Sequence, residues 1–176
     1  MTNKANSKIK TLVLSAMFLA IGLVLPFLTG QIPQLGSMLL PMHLPVLLCG
    51  FICGPAYGLL CGMLLPMLNC MITGMPAPFP MLPIMFCELA VYGLVSGLLF
   101  SKTPLGKLKY GIYIALPIAM LCGRIAYAVA FYSLLLTVGE FKALSVSAAV
   151  VSGLPGILIQ LLLIPPIILM IRKNKM

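Results

Sequence analysis

Long apolar segments alternate along the chain with short segments in which the cations gather. The apolar segments at residues 11–28, 81–100, 112–138 and 150–171 are each long enough to cross a hydrocarbon core of about 30 Å as a helix. Three clusters of cations lie beside them: Lys4, Lys8 and Lys10; Lys102, Lys107 and Lys109; and Arg172, Lys173 and Lys175. A water-soluble domain could not expose so much apolar surface, so the pattern predicts an integral membrane protein.

The cation clusters also predict the topology. Short loops rich in Lys and Arg stay in the cytoplasm, so an even number of crossings must separate the first cluster from the middle one. Residues 11–28 and 81–100 supply two crossings, and the apolar residues 38–73 are long enough for two more as short helices at about 38–54 and 56–73. We therefore predict an all-α integral membrane protein, a single domain over residues 1–176, with six transmembrane helices and both termini in the cytoplasm.

Composition narrows the classes of function. Of the 176 residues, 62% are hydrophobic and 7% are charged, which leaves no room for an attached soluble domain. The net charge of +9 comes mainly from cations at the ends of apolar segments, so we expect contacts with anionic lipid headgroups and no nucleic-acid binding. The six cysteines lie inside apolar segments, and the one histidine has no matching second pair of ligands, so no metal site is expected.

The two short helices are rich in glycine and proline. Glycines recur there at a spacing of four, which lets helix backbones approach closely, and packing of a helix pair is the favoured interpretation. They are Gly50, Gly54, Gly58 and Gly62. The prolines in the same stretch suggest in addition that these helices line a cavity, where short or broken helices are tolerated at membrane depth.

The segments that join the spans on the outer side are residues 29–37, 74–80 and 139–147. The first two contain glutamine and several prolines, which make them stiff and partly polar. Such loops suit a lid over a pocket that opens outward. Gln34 is the side chain of this lid that we expect to contact a ligand.

Glu88 and Arg124 are the ionisable residues far from any span end, and each is costly there without a partner. Each lies about 18 Å from the cytoplasmic end of its span, so the two are level in the outer half of the core. They could form a structural ion pair that locks two helices together. They could instead line a polar pocket in which Arg124 binds an anion, which we favour slightly.

Other polar and aromatic side chains fall near this level. Tyr127 continues the Arg124 face of its helix and Tyr92 shares the Glu88 face, although aromatic stripes also serve packing alone. Asn69 and Gln160 are polar residues inside spans, where each could simply bond to a neighbouring helix. His43 lies near the outer end of its predicted span, either at the interface or in contact with the pocket.

The motifs of common membrane enzymes are absent from the sequence. It has no phosphate-binding G-x-x-x-x-G-K-[ST] loop, no H-E-x-x-H and no G-x-S-x-G, so we expect neither ATP hydrolysis by this chain nor catalysis. A small carrier coupled to protons through Glu88 is one alternative function. A membrane assembly subunit without a ligand, in which Glu88 and Arg124 are only a structural pair, is another.

Three motifs carry a resemblance to a known family. They are L-P-M-H-L-P-V-L-L-C-G-F-I-C-G-P-A-Y-G-L-L-C-G at residues 40–62, G-M-P-A-P-F-P at residues 74–80 and C-E-L-A-V-Y-G-L-V-S-G-L-L at residues 87–99. The chain resembles, over nearly its whole length, the substrate-binding subunits of energy-coupling factor (ECF) transporters. Within that family it looks most like members assigned to pantothenate or left unassigned.

The resemblance implies a ligand, partners and a location. Family members hold a vitamin or vitamin precursor near the outer face of the plasma membrane of bacteria. They associate with a transmembrane coupling subunit and two ATPases, so ATP would be bound by the partners and this chain would carry no cofactor. A carboxylate ligand such as pantothenate or folate would suit Arg124. The family's A-x-x-x-A docking pattern would correspond to Ala16 and Ala20.

Overall fold

The described residues of the computed structural model, 2–28, 39–108, 110–138 and 146–173, form helices and short turns without a strand. The helices are α1 (Thr2–Leu28), α2 (His43–Cys53), α3 (Pro55–Thr73), α4 (Met81–Ser101), α5 (Ile112–Val138) and α6 (Val146–Lys173). A 3₁₀ turn at Pro104–Gly106 lies between α4 and α5. The predicted all-α membrane fold is therefore confirmed.

Five of the helices are long and apolar enough to cross a membrane, and α2 is shorter. With 11 residues, α2 rises only about 16 Å, roughly half of a hydrocarbon core. Its first residue therefore lies inside the bundle and not at the outer end of a full span. This short helix is what carries His43 to the depth of the ionisable residues.

The chain reverses between α2 and α3 at Gly54. This residue has a φ of 95°, in the region that favours glycine, and its N–H donates to the carbonyl oxygen of Gly50. Pro55 follows as the first residue of α3, where its missing N–H leaves no hydrogen bond unmade. The tight reversal packs α2 and α3 side by side.

Glycine allows α3 and α4 to pack backbone against backbone. A Cβ atom added at Gly58 would lie 2.3 Å from the carbonyl oxygen of Gly93, and one at Gly62 would lie 2.2 Å from that of Leu89. One added at Gly50 of α2 would lie 2.5 Å from the same Gly93 oxygen. The packing interpretation is confirmed for Gly50, Gly58 and Gly62, whereas Gly54 serves the reversal and an added Cβ atom there would meet nothing within 4 Å. Helices α2, α3 and α4 form a tightly packed unit.

Large apolar side chains cover the outside of the helices. On α1, Leu12, Val13 and Met17 are each more than half exposed, and on α6 Leu162 is 77% exposed. The main buried cluster lies between α2, α3, α4, α5 and the second half of α6. An apolar exterior around a packed interior is the arrangement that a bilayer requires.

Candidate ligand-binding site

Glu88 and Arg124 form an ion pair between α4 and α5. Arg124 Nη1 donates to Glu88 Oε1 at 3.0 Å, and the two side chains are 12% and 2% exposed for Arg124 and Glu88 respectively. The helices bring the two residues together because each carries its ionisable group about 18 Å from the same cytoplasmic connection. In a low-dielectric interior, each charge lowers the cost of burying the other.

His43 adds a third polar group to this pair. Its ring is buried, with 1% of the side chain exposed, and Nε2 lies 3.5 Å from Glu88 Oε1. The ring packs edge-on against Tyr92, with 5.1 Å between the ring centroids. His43 is therefore buried within the bundle next to Glu88, and its contact with a ligand stays a prediction.

Tyr92 and Tyr127 lie against the ion pair on α4 and α5. Both are almost fully buried, and each lies close enough to Glu88 and Arg124 to interact electrostatically with them. The Tyr92 ring fits over Gly123, where an added Cβ atom would lie 2.6 Å from the ring carbon Cζ. The aromatic face predicted around Arg124 and Glu88 is therefore present.

Several polar atoms of this cluster lack hydrogen-bond partners within the described part of the chain. They are Nε and Nη2 of Arg124 and both ring nitrogens of His43. Nε and Nη2 form one edge of the planar guanidinium group, with donors that point in parallel, as in bidentate pairing with a carboxylate. Buried polar groups are rarely left without partners, because water is absent and each unmade hydrogen bond costs free energy. The cluster is therefore suited to receive a ligand.

Helix α6 and the chain just before α2 enclose the free edge of Arg124. A Cβ atom added at Gly153 would lie 2.7 Å from Arg124 Nη2 and 3.2 Å from a methyl carbon of Leu40. Leu40 has a positive φ of 49°, and its carbonyl oxygen accepts from the N–H of His43 at 3.1 Å. Gly153 thus leaves the space that the guanidinium group occupies.

Gln160 lies two helical turns from Gly153 on the same face of α6. Its Nε2 donates to the Leu40 carbonyl oxygen at 3.5 Å, and its Oε1 has no hydrogen bond within the described residues. The sequence identified Gln160 only as a residue that bonds to a neighbouring segment. It did not identify Gly153 at all, because a single glycine within an apolar span carries no functional signal.

The comparison with protein families gives the identity of the chain. A family described as "ECF transporter, substrate-specific component" matches residues 10–168. The chain belongs to this family. Searches of curated proteins and of solved structures found no match. The protein is thus a multi-pass plasma-membrane protein and the substrate-binding subunit of an ECF importer, as the resemblance implied.

One predicted site residue of this substrate-specific component, Asn69, falls outside the cluster. Asn69 is fully buried on α3, and its Nδ2 donates at 3.5 Å to the carbonyl oxygen of Gly22 on α1, which ties these two helices together. Its Oδ1 has no hydrogen bond within the described part of the chain. Gln34 lies outside the described residues.

A groove between α4 and α5 of the substrate-specific component is a separate feature. It encloses about 560 Å³, is almost entirely apolar and includes Cys87 and Val129, whose side chains are exposed on the outside of the bundle. Its polar side chain, Ser133, donates to the carbonyl oxygen of Ala130. This groove faces the lipid, whereas the polar cluster lies between the helices.

Proposed function

We propose that this substrate-specific component captures a water-soluble vitamin or vitamin precursor with a carboxylate group, such as pantothenate or folate. Arg124 would bind the carboxylate through Nε and Nη2. The observation that carries the proposal is that this edge of the guanidinium group is buried and unpartnered while Nη1 is held by Glu88. A carboxylate supplies two acceptor oxygens in one plane, which matches the two parallel donors.

The neighbouring groups support a small polar ligand with further hydrogen-bonding atoms. His43 offers one donor or acceptor at each ring nitrogen, and Tyr92 and Tyr127 supply flat apolar surface beside the charged groups. A purely structural ion pair would account for the contact between Glu88 and Arg124. It would give no role to the remaining buried donors of Arg124 or to His43.

We infer that transport depends on a transmembrane coupling subunit and two ATPase subunits, which bind the ATP. The supporting observations are the family match and the absence of a phosphate-binding loop from the sequence. Ala16 and Ala20 would be the docking positions for the coupling subunit. Both are exposed on α1, where they leave a shallow surface among larger apolar side chains.

Thermal unfolding of the purified chain in detergent tests the binding function. A panel of water-soluble vitamins should include at least one acid that stabilises the protein, by about 2.7 kcal/mol at a concentration one hundred times its dissociation constant. The matched control is the neutral alcohol analogue of each acid, which should give a much smaller effect because it lacks the carboxylate. If no acid in the panel stabilises the chain, the proposed function is wrong.

Uptake by reconstituted vesicles tests the energy source. The chain alone should bind the vitamin without accumulating it, and uptake should require the coupling complex and ATP. Accumulation by the chain alone, abolished by an uncoupler, would support the proton-coupled carrier and contradict the proposed partners.

A further inference from the structure

The polar cluster combines one carboxylate, one guanidinium group and one imidazole. The charges of Glu88 and Arg124 balance each other, so the net charge of the cluster depends on the imidazole of His43. A protonated His43 would leave one uncompensated positive charge in the bundle. Isolated charges at membrane depth are costly, so the neutral imidazole suits the empty site.

A carboxylate ligand changes this balance. When the ligand binds to the free edge of Arg124, the cluster gains one negative charge that no described residue compensates. A proton on His43 restores neutrality, and it adds a donor at each ring nitrogen. His43 Nε2 lies 3.5 Å from Glu88 Oε1, so the imidazolium would face the carboxylate of Glu88. Arg124 would then bind both this carboxylate and that of the ligand.

We propose that the site binds its ligand as a monoanion together with one proton, and that His43 holds this proton. The inference rests on the proposed function, since it requires that the ligand carries a carboxylate. It also defines the substrate class more narrowly. One added proton neutralises a ligand with a single negative charge, such as pantothenate, whereas a dianion such as folate would leave the site with a net negative charge.

The described side chains around His43 include no other neutral base that could take up the proton and become a cation. Helix α4 contributes Glu88 and Tyr92, which contact His43, and helix α5 contributes Arg124 and Tyr127, which lie beside Glu88. In their described parts, α3 has no Asp, Glu, Lys, Arg or His, and the cations of α1 and α6 lie at the ends of those helices away from this level. Among the described side chains, His43 and Glu88 are therefore the two that could take up the proton.

Calorimetry in buffers with different ionisation enthalpies counts the protons taken up with the ligand. The probes are pantothenate and its alcohol analogue, in which CH₂OH replaces the carboxylate. We expect uptake of about one proton with pantothenate near pH 8 and of none with the alcohol. The affinity for pantothenate should fall about tenfold for each unit of rising pH in this range, while that for the alcohol stays constant.

The location of the proton can be read directly because His43 is the only histidine of the chain. Nitrogen-15 histidine labelling, with a purification tag that lacks histidine, gives one imidazole to observe by NMR. Pantothenate should convert it from neutral imidazole to imidazolium at pH 8, and the alcohol should leave it neutral. This measurement needs no mutation, so it does not depend on whether a variant folds.

The outcomes separate this inference from the proposed function. Binding of pantothenate without proton uptake, or with a histidine that stays neutral, would overturn the inference and leave the carboxylate site intact. Proton uptake that persists in His43→Gln would assign the proton to another group, Glu88 or the ligand itself, and overturn the inference as well. If neither pantothenate nor any other vitamin acid binds, the proposed function fails and the inference fails with it.

Discussion

Arg124 Nη1 donates to Glu88 Oε1 at 3.0 Å, and this hydrogen bond engages only one of the three guanidinium nitrogens. The ion pair therefore fixes the position of Arg124 without using its side-on edge. A buried acid that orients a cation while leaving its other donors free serves both structure and recognition. The two roles predicted as alternatives for this pair are compatible, and mutation can separate them.

Arg124→Ala should lower ligand affinity by about 2 to 5 kcal/mol, the range for removing one partner of a buried charge pair. Arg124→Lys should recover only part of this loss, because an ammonium group lacks the planar fork that matches a carboxylate. Isothermal titration with the vitamin acid found in the thermal screen measures both effects. Equal affinity for the Lys variant and the wild type would contradict bidentate binding.

The stability of the same variants tests the structural role. Arg124→Gln leaves Glu88 as a lone buried charge and should lower thermal stability in detergent. The double variant Glu88→Gln with Arg124→Gln should recover stability, because no lone charge remains, and should still bind the acid poorly. Full affinity in this recovered double variant would remove Arg124 from the ligand site.

Gly153→Ala should weaken ligand binding with little change in stability. The added methyl group would lie 2.7 Å from Arg124 Nη2, so the guanidinium group must move, and the end of a long side chain can move at small cost. We expect an affinity loss of about 1.5 to 3 kcal/mol, the range for losing a hydrogen bond to a charged group. Leu154→Ala, at the next and half-exposed position, is the matched control. A similar affinity loss in both variants would point to a general effect on α6.

Gly93→Ala should destabilise the fold. Its methyl group would lie 2.0 Å from the carbonyl oxygen of Gly58, and backbone on α3 cannot move aside as a side chain can. We expect a loss of at least about 1 to 3 kcal/mol, measured by thermal or denaturant unfolding in detergent. Gly22→Ala is the control, since its methyl group would meet side-chain atoms, chiefly the methyl carbons of Leu65 at 2.7 Å. These atoms can shift more easily than backbone, so this variant should cost less. An equal loss in the two variants would contradict rigid packing of α3 on α4.

The sequence predicted the features that follow from hydrophobicity and helical rise. The depth of Glu88 and Arg124 could be counted from the cytoplasmic connection, because both lie on long, regular helices that share it. The glycine spacing likewise predicted the close packing at Gly50, Gly58 and Gly62, since small residues let helix backbones approach closely. These inferences need only the geometry of single helices.

The features that depend on how helices end and meet could not be predicted. His43 was expected near an outer helix end because its span was taken to begin at residue 38, whereas α2 begins at His43 itself. The free edge of Arg124 depends on the side-chain rotamer, and the role of Gly153 depends on which face of α6 meets α5. Neither is encoded in local hydrophobicity.

The last prediction concerns the outer face of α1. Ala16→Trp combined with Ala20→Trp should weaken assembly with the coupling subunit and leave vitamin binding unchanged. Both alanines are exposed, so large side chains there can be accommodated in lipid or detergent without disturbing the interior. Close contact with a partner helix needs small side chains, and two indole rings would hold the backbones apart. Co-purification of the complex and thermal stabilisation by the vitamin measure the two effects.

The matched control introduces the two tryptophans one position further along α1. Met17→Trp with Ile21→Trp changes side chains that are already large and are 55% and 45% exposed, so the shape of this neighbouring face changes less. If the alanine face is the docking surface, only the alanine variant should lose the complex, because only there does the substitution fill a gap between large side chains. Loss of the complex in both variants would indicate that any bulk on α1 interferes, and normal assembly of the alanine variant would place the docking surface on another helix.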